Sequence, residues 1–117
     1  MAMLIDHERA KSAYQNVCSF IDSDGDIEKF RTWALKFPSL IQNCGLLQAI
    51  ALCHEKSSDV YEIAAKWMEI RFFPKTSVDE VTKKISELDI NTYRLTTKEM
   101  MSYMTWVKRA ASTLIPD

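Results

Sequence analysis

Residues 96–114 read TTKEMMSYMTWVKRAASTL, and their spacing decides the fold class. At about 100° per residue, Met100, Tyr103, Met104, Val107, Ala110, Ala111 and Leu114 fall in one broad arc. Lys98, Ser102, Thr105, Arg109 and Ser112 fall in the opposite arc. The stretch is an amphipathic helix with a buried face and a wet, partly basic face. Thr96 and Glu99 have the spacing of a capping box, which predicts that the helix starts there. Pro116 stands just past its end.

Working outward, the same 3.6-residue period recurs along the chain. Ala10, Ala13, Tyr14, Val17 and Ile21 mark a first helix over about 5–21, with Arg9, Lys11, Ser12 and Gln15 outside the stripe. Ile27, Phe30, Trp33, Ala34 and Phe37 mark a second, from about Asp26 to Phe37, with Lys29, Arg31 and Lys36 on its wet side. Pro38 disfavours the α conformation at Phe37, so that helix is expected to stop or bend there. Residues 39–43 add a further turn, and Asn43-Cys44-Gly45 is a stop signal. A third helix, about 46–54, is apolar nearly all round and is expected in the middle of the domain or in a subunit interface, with the core the preferred place. A fourth covers about 58–72, closed by Pro74. A fifth opens at a second capping-box spacing, Ser77 to Glu80, and runs to about Leu88. Residues 89–95 link to the last helix, with a short helical turn at 90–93. Strand alternation and internal repeats are absent from the sequence. The expected fold is all-α: a compact single-domain bundle of about six helices over residues 1–117.

Bulk properties narrow the function. A chain of 117 residues folds to a surface of roughly 6,500 Å², enough to bury a real core without staples. Two Gly and three Pro argue against a turn-rich β fold. No apolar run approaches the ~18 residues of a membrane span, and the N-terminal stretch lacks the apolar core of a signal peptide. A formal charge of −1 is unlike the basic excess of a stand-alone nucleic-acid binder, so any such contact should be local or shared with neighbours. Cys18, Cys44 and Cys53 are odd in number and lack C-x-x-C spacing, as expected of reduced, mostly buried thiols in a cytoplasmic protein.

Asp22-Ser23-Asp24-Gly25-Asp26 superficially resembles a calcium loop. Counted from Asp22, the sixth position is Ile27 and the twelfth Trp33, so the glycine and the bidentate glutamate are missing. A polar turn feeding a helix N-terminus is the expected outcome. Nucleophile elbows, P-loops and zinc-protease motifs are all absent. His7 and His54 stand singly on separate helices. No catalytic residue, metal site or cofactor is expected, and Met100, Met101 and Met104 are read as core filling.

Three blocks carry a resemblance. Tyr93-Arg94, Thr97 and the run from Tyr103 to Ala110 form a Y-R, Thr, then W-x-K-R-A pattern. Residues 35–41 (LKFPSLI) precede Asn43-Cys44-Gly45-Leu46-Leu47-Gln48-Ala49, with Cys44 splitting Asn from Gly. Arg9-Ala10 with Ala13-Tyr14 is the third block. In order and spacing the chain resembles the small α-helical subunit of the type III-B CRISPR RNA-silencing (Cmr) effector complex. The resemblance implies non-enzymatic work in a cytoplasmic ribonucleoprotein for antiviral defence. Its implied partners are the other Cmr subunits, neighbouring copies of itself stacked head to tail, and paired guide and target RNA, with no membrane. By position it marks Lys108 and Arg109 for the RNA backbone, then Arg94 and Lys98, with Lys36 as a contributor. Trp106 and Tyr93 are expected to pack rather than stack on bases. A helical protein-interaction scaffold without RNA, or an enzyme built on an unrecognised carboxylate pair, are the readings that compete with it.

Overall fold

The computed structural model describes residues 2–116, with side chains from Ile5 to Pro116. Six α-helices follow one another: α1 (Ala2–Ile21), α2 (Ile27–Cys44), α3 (Leu46–Lys56), α4 (Ser58–Arg71), α5 (Val81–Ser86) and α6 (Ile90–Leu114). A single 3₁₀ turn, Val78–Glu80, leads into α5. The described residues contain no strand, so the all-α class stands.

The longest helix, α6, is the axis of the bundle, because its apolar arc is wide enough to serve two neighbours at once. Met100, Tyr103, Met104, Val107, Ala110 and Ala111 are all fully buried, against α1 on one side and α2 on the other. Helix α2 runs antiparallel to α6. Its Arg31 donates from Nε to the Ile115 carbonyl at 2.7 Å, while Gly45 beyond its far end approaches the Tyr93 hydroxyl. Helix α4 sits across α1, α2 and α6, and α5 caps α3 and α4.

Several boundaries differ from expectation, each for a physical reason. Helix α2 does not stop at Phe37. It passes through Pro38 and ends at Cys44. An internal proline costs ~3 kcal/mol and removes one i−4 hydrogen bond. Phe37, Pro38 and Ile41 are all buried, and the burial of Phe37 and Ile41 offsets that cost at about 1.5–3 kcal/mol for each. Termination is left to Gly45, at φ 85°, where its N–H closes onto Ile41 at 2.9 Å.

The capping box at Thr96 does not form. Helix α6 begins six residues earlier, at Ile90. The Thr96 hydroxyl donates back to the Thr92 carbonyl at 2.8 Å, and Thr97 does the same to Tyr93. Threonine bonded this way is tolerated inside a helix. At the second box, the Ser77 hydroxyl donates to the Glu80 carboxylate at 3.0 Å without capping the backbone, and α5 ends at Ser86.

Helix α3 is buried on one face only, not all round. Leu46, Ala49, Ile50 and Cys53 face α2, α4 and α5, while Ala51 and His54 are exposed. Nor are the cysteines mostly buried: Cys53 is, and Cys18 and Cys44 are exposed. The acidic turn is a turn, as expected. Asp24 takes a positive φ of 69°, and the Asp26 carboxylate caps α2 by accepting from the Lys29 N–H at 3.1 Å. Phe20 and Phe30 stack at 4.0 Å across it. A Cβ on Gly25 would fall 2.5 Å from the Phe20 ring, so the stack itself requires glycine there.

Candidate nucleic-acid interface

The outer strip of α6 follows from the same period that builds its core face. Arg94, Lys98, Ser102, Thr105, Arg109 and Ser112 are spaced four, four, three, four and three residues apart, so they line one side of the helix. Arg94, Lys98, Lys108 and Arg109 are exposed, and none of the four forms an ion pair among the described residues. By its angle on the helix, Lys108 stands on the α2 flank of that strip. Lys36 projects from α2 with its ammonium 4.6 Å from the Trp33 ring centre. In the antiparallel register set by Arg31–Ile115 and Gly45–Tyr93, Lys36 lies at about the level of Lys108. Of the five cations marked in the sequence, four therefore share α6 and the fifth stands beside its C-terminal half.

What holds the strip outward is a set of polar clamps on the α1 side. Arg9 donates to Glu99 twice, from Nε at 2.8 Å and from Nη2 at 2.7 Å. Glu99 also accepts from the Trp67 indole N–H at 2.9 Å. Burial pushes the Glu99 pKa up, but the Arg9 and Trp67 hydrogen bonds and the Arg9 charge outweigh it. The carboxyl ends below its ordinary value. Tyr103 stacks on Trp67 at 4.4 Å, and its hydroxyl is satisfied by Ser12 at 3.0 Å and Asn16 at 3.1 Å. Burial holds the Tyr103 phenol above its usual pKa.

About two turns beyond Glu99 on α6, the Trp106 indole N–H donates to Asp6 at 2.8 Å. The Arg109 guanidinium lies 5.1 Å from the Trp106 ring centre. The Trp106 hydrogen bond is the main cause of a lowered Asp6 pKa, opposed by desolvation and aided by the nearby Arg9 and, last, Arg109. Trp106 is thus a packing and positioning residue, as the apolar stripe implied, and Arg109 is laid along its face. Tyr93 is structural too. Its hydroxyl accepts the Leu47 N–H at 3.0 Å, satisfying a donor in the first turn of α3.

Sequence reasoning missed Asp6, Arg9 and Glu99. Arg9 reads as a wet-face residue and Glu99 as half of a capping box. The available signal was the i, i+3 spacing of Asp6 and Arg9, together with indole N–H groups that need acceptors when buried.

The remaining shifted groups are also held by structural contacts. Burial pushes the Cys53 thiol to about 12, which suppresses the thiolate. Tyr61 is raised by burial and donates to the Val78 carbonyl. No group of three or more His, Cys, Asp or Glu side chains among the described residues is placed to hold a metal ion. No described helix is long and apolar enough to cross a membrane. The arrangement can present exposed cations to a polyanion along one helix.

Comparison with known proteins matches the chain, in sequence and overall fold, to a family. A family model described as CRISPR-associated protein (Cas_Cmr5) matches residues 5–114. The CRISPR system Cmr subunit Cmr5 of Thermus thermophilus is 26% identical over 108 residues, covering 92% of this chain and 93% of that protein. The crystal structure of a CRISPR-associated Cmr5 family protein from Thermus thermophilus superposes with a TM-score of 0.80 at 26% identity, covering 94% of this chain and 96% of that one. With the family model running from α1 to the end of α6, the chain belongs to the CRISPR-associated Cmr5 family and is a subunit of the Cmr type.

Proposed function

We propose that this chain is a non-catalytic, cytoplasmic small subunit of a type III-B CRISPR ribonucleoprotein effector. In this reading it is one domain over residues 1–117. Copies stack head to tail as a minor filament beside the other Cmr subunits and help hold the guide–target RNA duplex during antiviral defence. Lys108 and Arg109 carry the contact with the RNA backbone. Arg94, Lys98 and Lys36 extend the positive field to either side.

One observation supports this most. The cations on the outer side of α6 are exposed and outside any ion pair among the described residues, whereas Arg9 on the inner side is locked to Glu99. A chain of formal charge −1 can still bind a polyanion when its free cations share one helix face. It can also repeat along a strand without strong self-repulsion.

The test uses the assembled complex with Lys108→Glu and Arg109→Glu together. Target RNA binding is measured against salt. Loss of two phosphate contacts lowers the slope of log K against log salt by about two and weakens binding at every sequence alike. The melting temperature stays where it was. If it drops instead, the two residues serve the fold and the RNA assignment fails.

A further inference from the structure

A groove of about 340 Å³ opens between the end of α4 and the first half of α6, lined by Arg71, Phe72, Leu95, Lys98 and Ser102 with the Arg9–Glu99 pair at its edge. Its floor is apolar: Phe72 is half-buried and Leu95 is 64% exposed. Its rim is positive. Arg9 and Glu99 neutralise each other. Arg71 reaches Glu8 only at 3.8 Å, and Lys98 forms no ion pair among the described residues. A phosphate backbone would satisfy the rim and leave Leu95 in water. The occupant that fits both is a protein segment with an apolar tip among carboxylates.

This chain carries such a segment. Residues 22–28 hold four carboxylates, Asp22, Asp24, Asp26 and Glu28, with no Lys or Arg among them, and Ile27 is 39% exposed. The turn is preformed by the Phe20–Phe30 stack and the Asp26 cap, so little conformational entropy opposes its docking. Groove and turn cannot meet within one copy. Arg9, at the groove, and Asp22 are 13 residues apart along α1 and its end, about 20 Å at 1.5 Å per residue. A junction between two different patches is heterologous, and when its rotation does not close, it generates an open chain of subunits.

We infer that the groove beside Leu95 receives the acidic turn 22–28 of a second copy, with Ile27 on Phe72 and Leu95 and the carboxylates facing Arg71 and Lys98. This rests on the filament reading above and says which two surfaces form its junction. Lys98 then serves this protein contact in place of the RNA field it would otherwise extend, leaving Lys108 and Arg109, with Arg94 and Lys36, to RNA.

The test is a cysteine pair in the assembled complex: Ile27→Cys with Leu95→Cys, in a chain whose exposed Cys18 and Cys44 are changed to Ser. Mild oxidation should give a ladder of linked copies on a non-reducing gel. Lys98→Glu should cut the ladder at least about tenfold by placing like charges together. Adding Glu28→Lys to Lys98→Glu should restore it. A complex that holds several copies and guide RNA but gives no ladder overturns the junction and leaves the subunit reading intact. A complex without guide RNA overturns the subunit reading itself. An undiminished ladder in Lys98→Glu, with weakened RNA capture, would return Lys98 to the RNA and overturn its place here.

Discussion

Arg9 and Arg109 each lie near a carboxylate that accepts from an indole N–H, Glu99 and Asp6 respectively, and they meet opposite fates. Arg9 lies on the α1–α6 seam, with a side chain 16% exposed and two hydrogen bonds to Glu99. Arg109 lies on the outer strip over Trp106, exposed, while the nearby Asp6 accepts from the indole at 2.8 Å and from Arg9 at 3.3 Å. Composition cannot separate the two arginines, whereas depth does. In the seam, an unpaired guanidinium would be left partly desolvated, so its partner is obligatory. On the strip, water competes with any single partner, and the charge stays available. A cation is a candidate for binding only where the fold has no structural use for it.

The largest break in this contrast is Glu99→Ala. It removes the acceptor of three N–H groups, two on Arg9 and one on Trp67, and leaves Arg9 only the longer contact with Asp6 at 3.3 Å. Hydrogen bonds to charged groups contribute about 1.5–3 kcal/mol, so a loss of about 2–3 kcal/mol is expected. At roughly 4 °C per kcal/mol for a chain of this size, melting should fall by about 8–12 °C, read by circular dichroism. The same clamp predicts the response to acid. Glu99 has its pKa lowered in the folded state, so its contribution is present above the unfolded value near 4.5 and is lost as pH falls through the lower folded value. Stability should therefore decline below about pH 4.5, and Glu99→Gln should flatten that decline. An unchanged slope would mean that the clamp is not what couples α1 to α6.

How much of this was legible from the residues varies along α6 itself. From Met100 to Ala111 the apolar arc is regular, and every residue in it that was expected inside is fully buried. From Ile90 to Leu95 the pattern breaks, because Ile90 is 60% exposed and Leu95 64% exposed. That turn and a half of helix is held by Tyr93 reaching across to α3, a long-range contact that local periodicity cannot report. Pro38 misled for a related reason: its local cost is visible in sequence, while the burial that offsets it is a tertiary property. The five marked cations were readable as wet-face residues. That Arg9 differs from them was not, since its partner lies 90 positions away.

A middle-sized effect comes from Trp106→Phe. The ring and its packing largely remain, and the N–H to Asp6 is lost. A cost of about 1 kcal/mol is expected, the usual net contribution of one hydrogen bond, measurable as a melting shift of about 4 °C. The Arg109 platform is narrowed but not removed, so RNA capture in the complex should weaken less than with Arg109→Glu. A fall in stability as large as that of Glu99→Ala would mean that the Asp6 clamp is as deep as the Arg9 one, and the contrast between the two arginines would collapse.

The smallest expected change in stability is from Arg109→Ala, within about 0.5 kcal/mol, as for surface substitutions away from caps and cores. The guanidinium loses only a cation–π contact with Trp106, about 0.5–1 kcal/mol at exposed sites, partly regained as side-chain entropy. The contrast is sharpest when this variant is set against Arg9→Ala in one experiment. Arg9→Ala leaves Glu99, at 12% side-chain exposure, with the Trp67 N–H but no countercharge, and should lower melting several-fold more. In the assembled complex the ranking should invert, with Arg109→Ala the more damaging to salt-dependent RNA capture. Arg109→Lys should restore only part of that capture, because an ammonium keeps the charge toward a phosphate but not the bidentate fork or the stacking on Trp106. Were Arg109→Ala to unfold the chain while leaving RNA capture unchanged in the surviving complex, depth would no longer separate structural cations from functional ones in this fold.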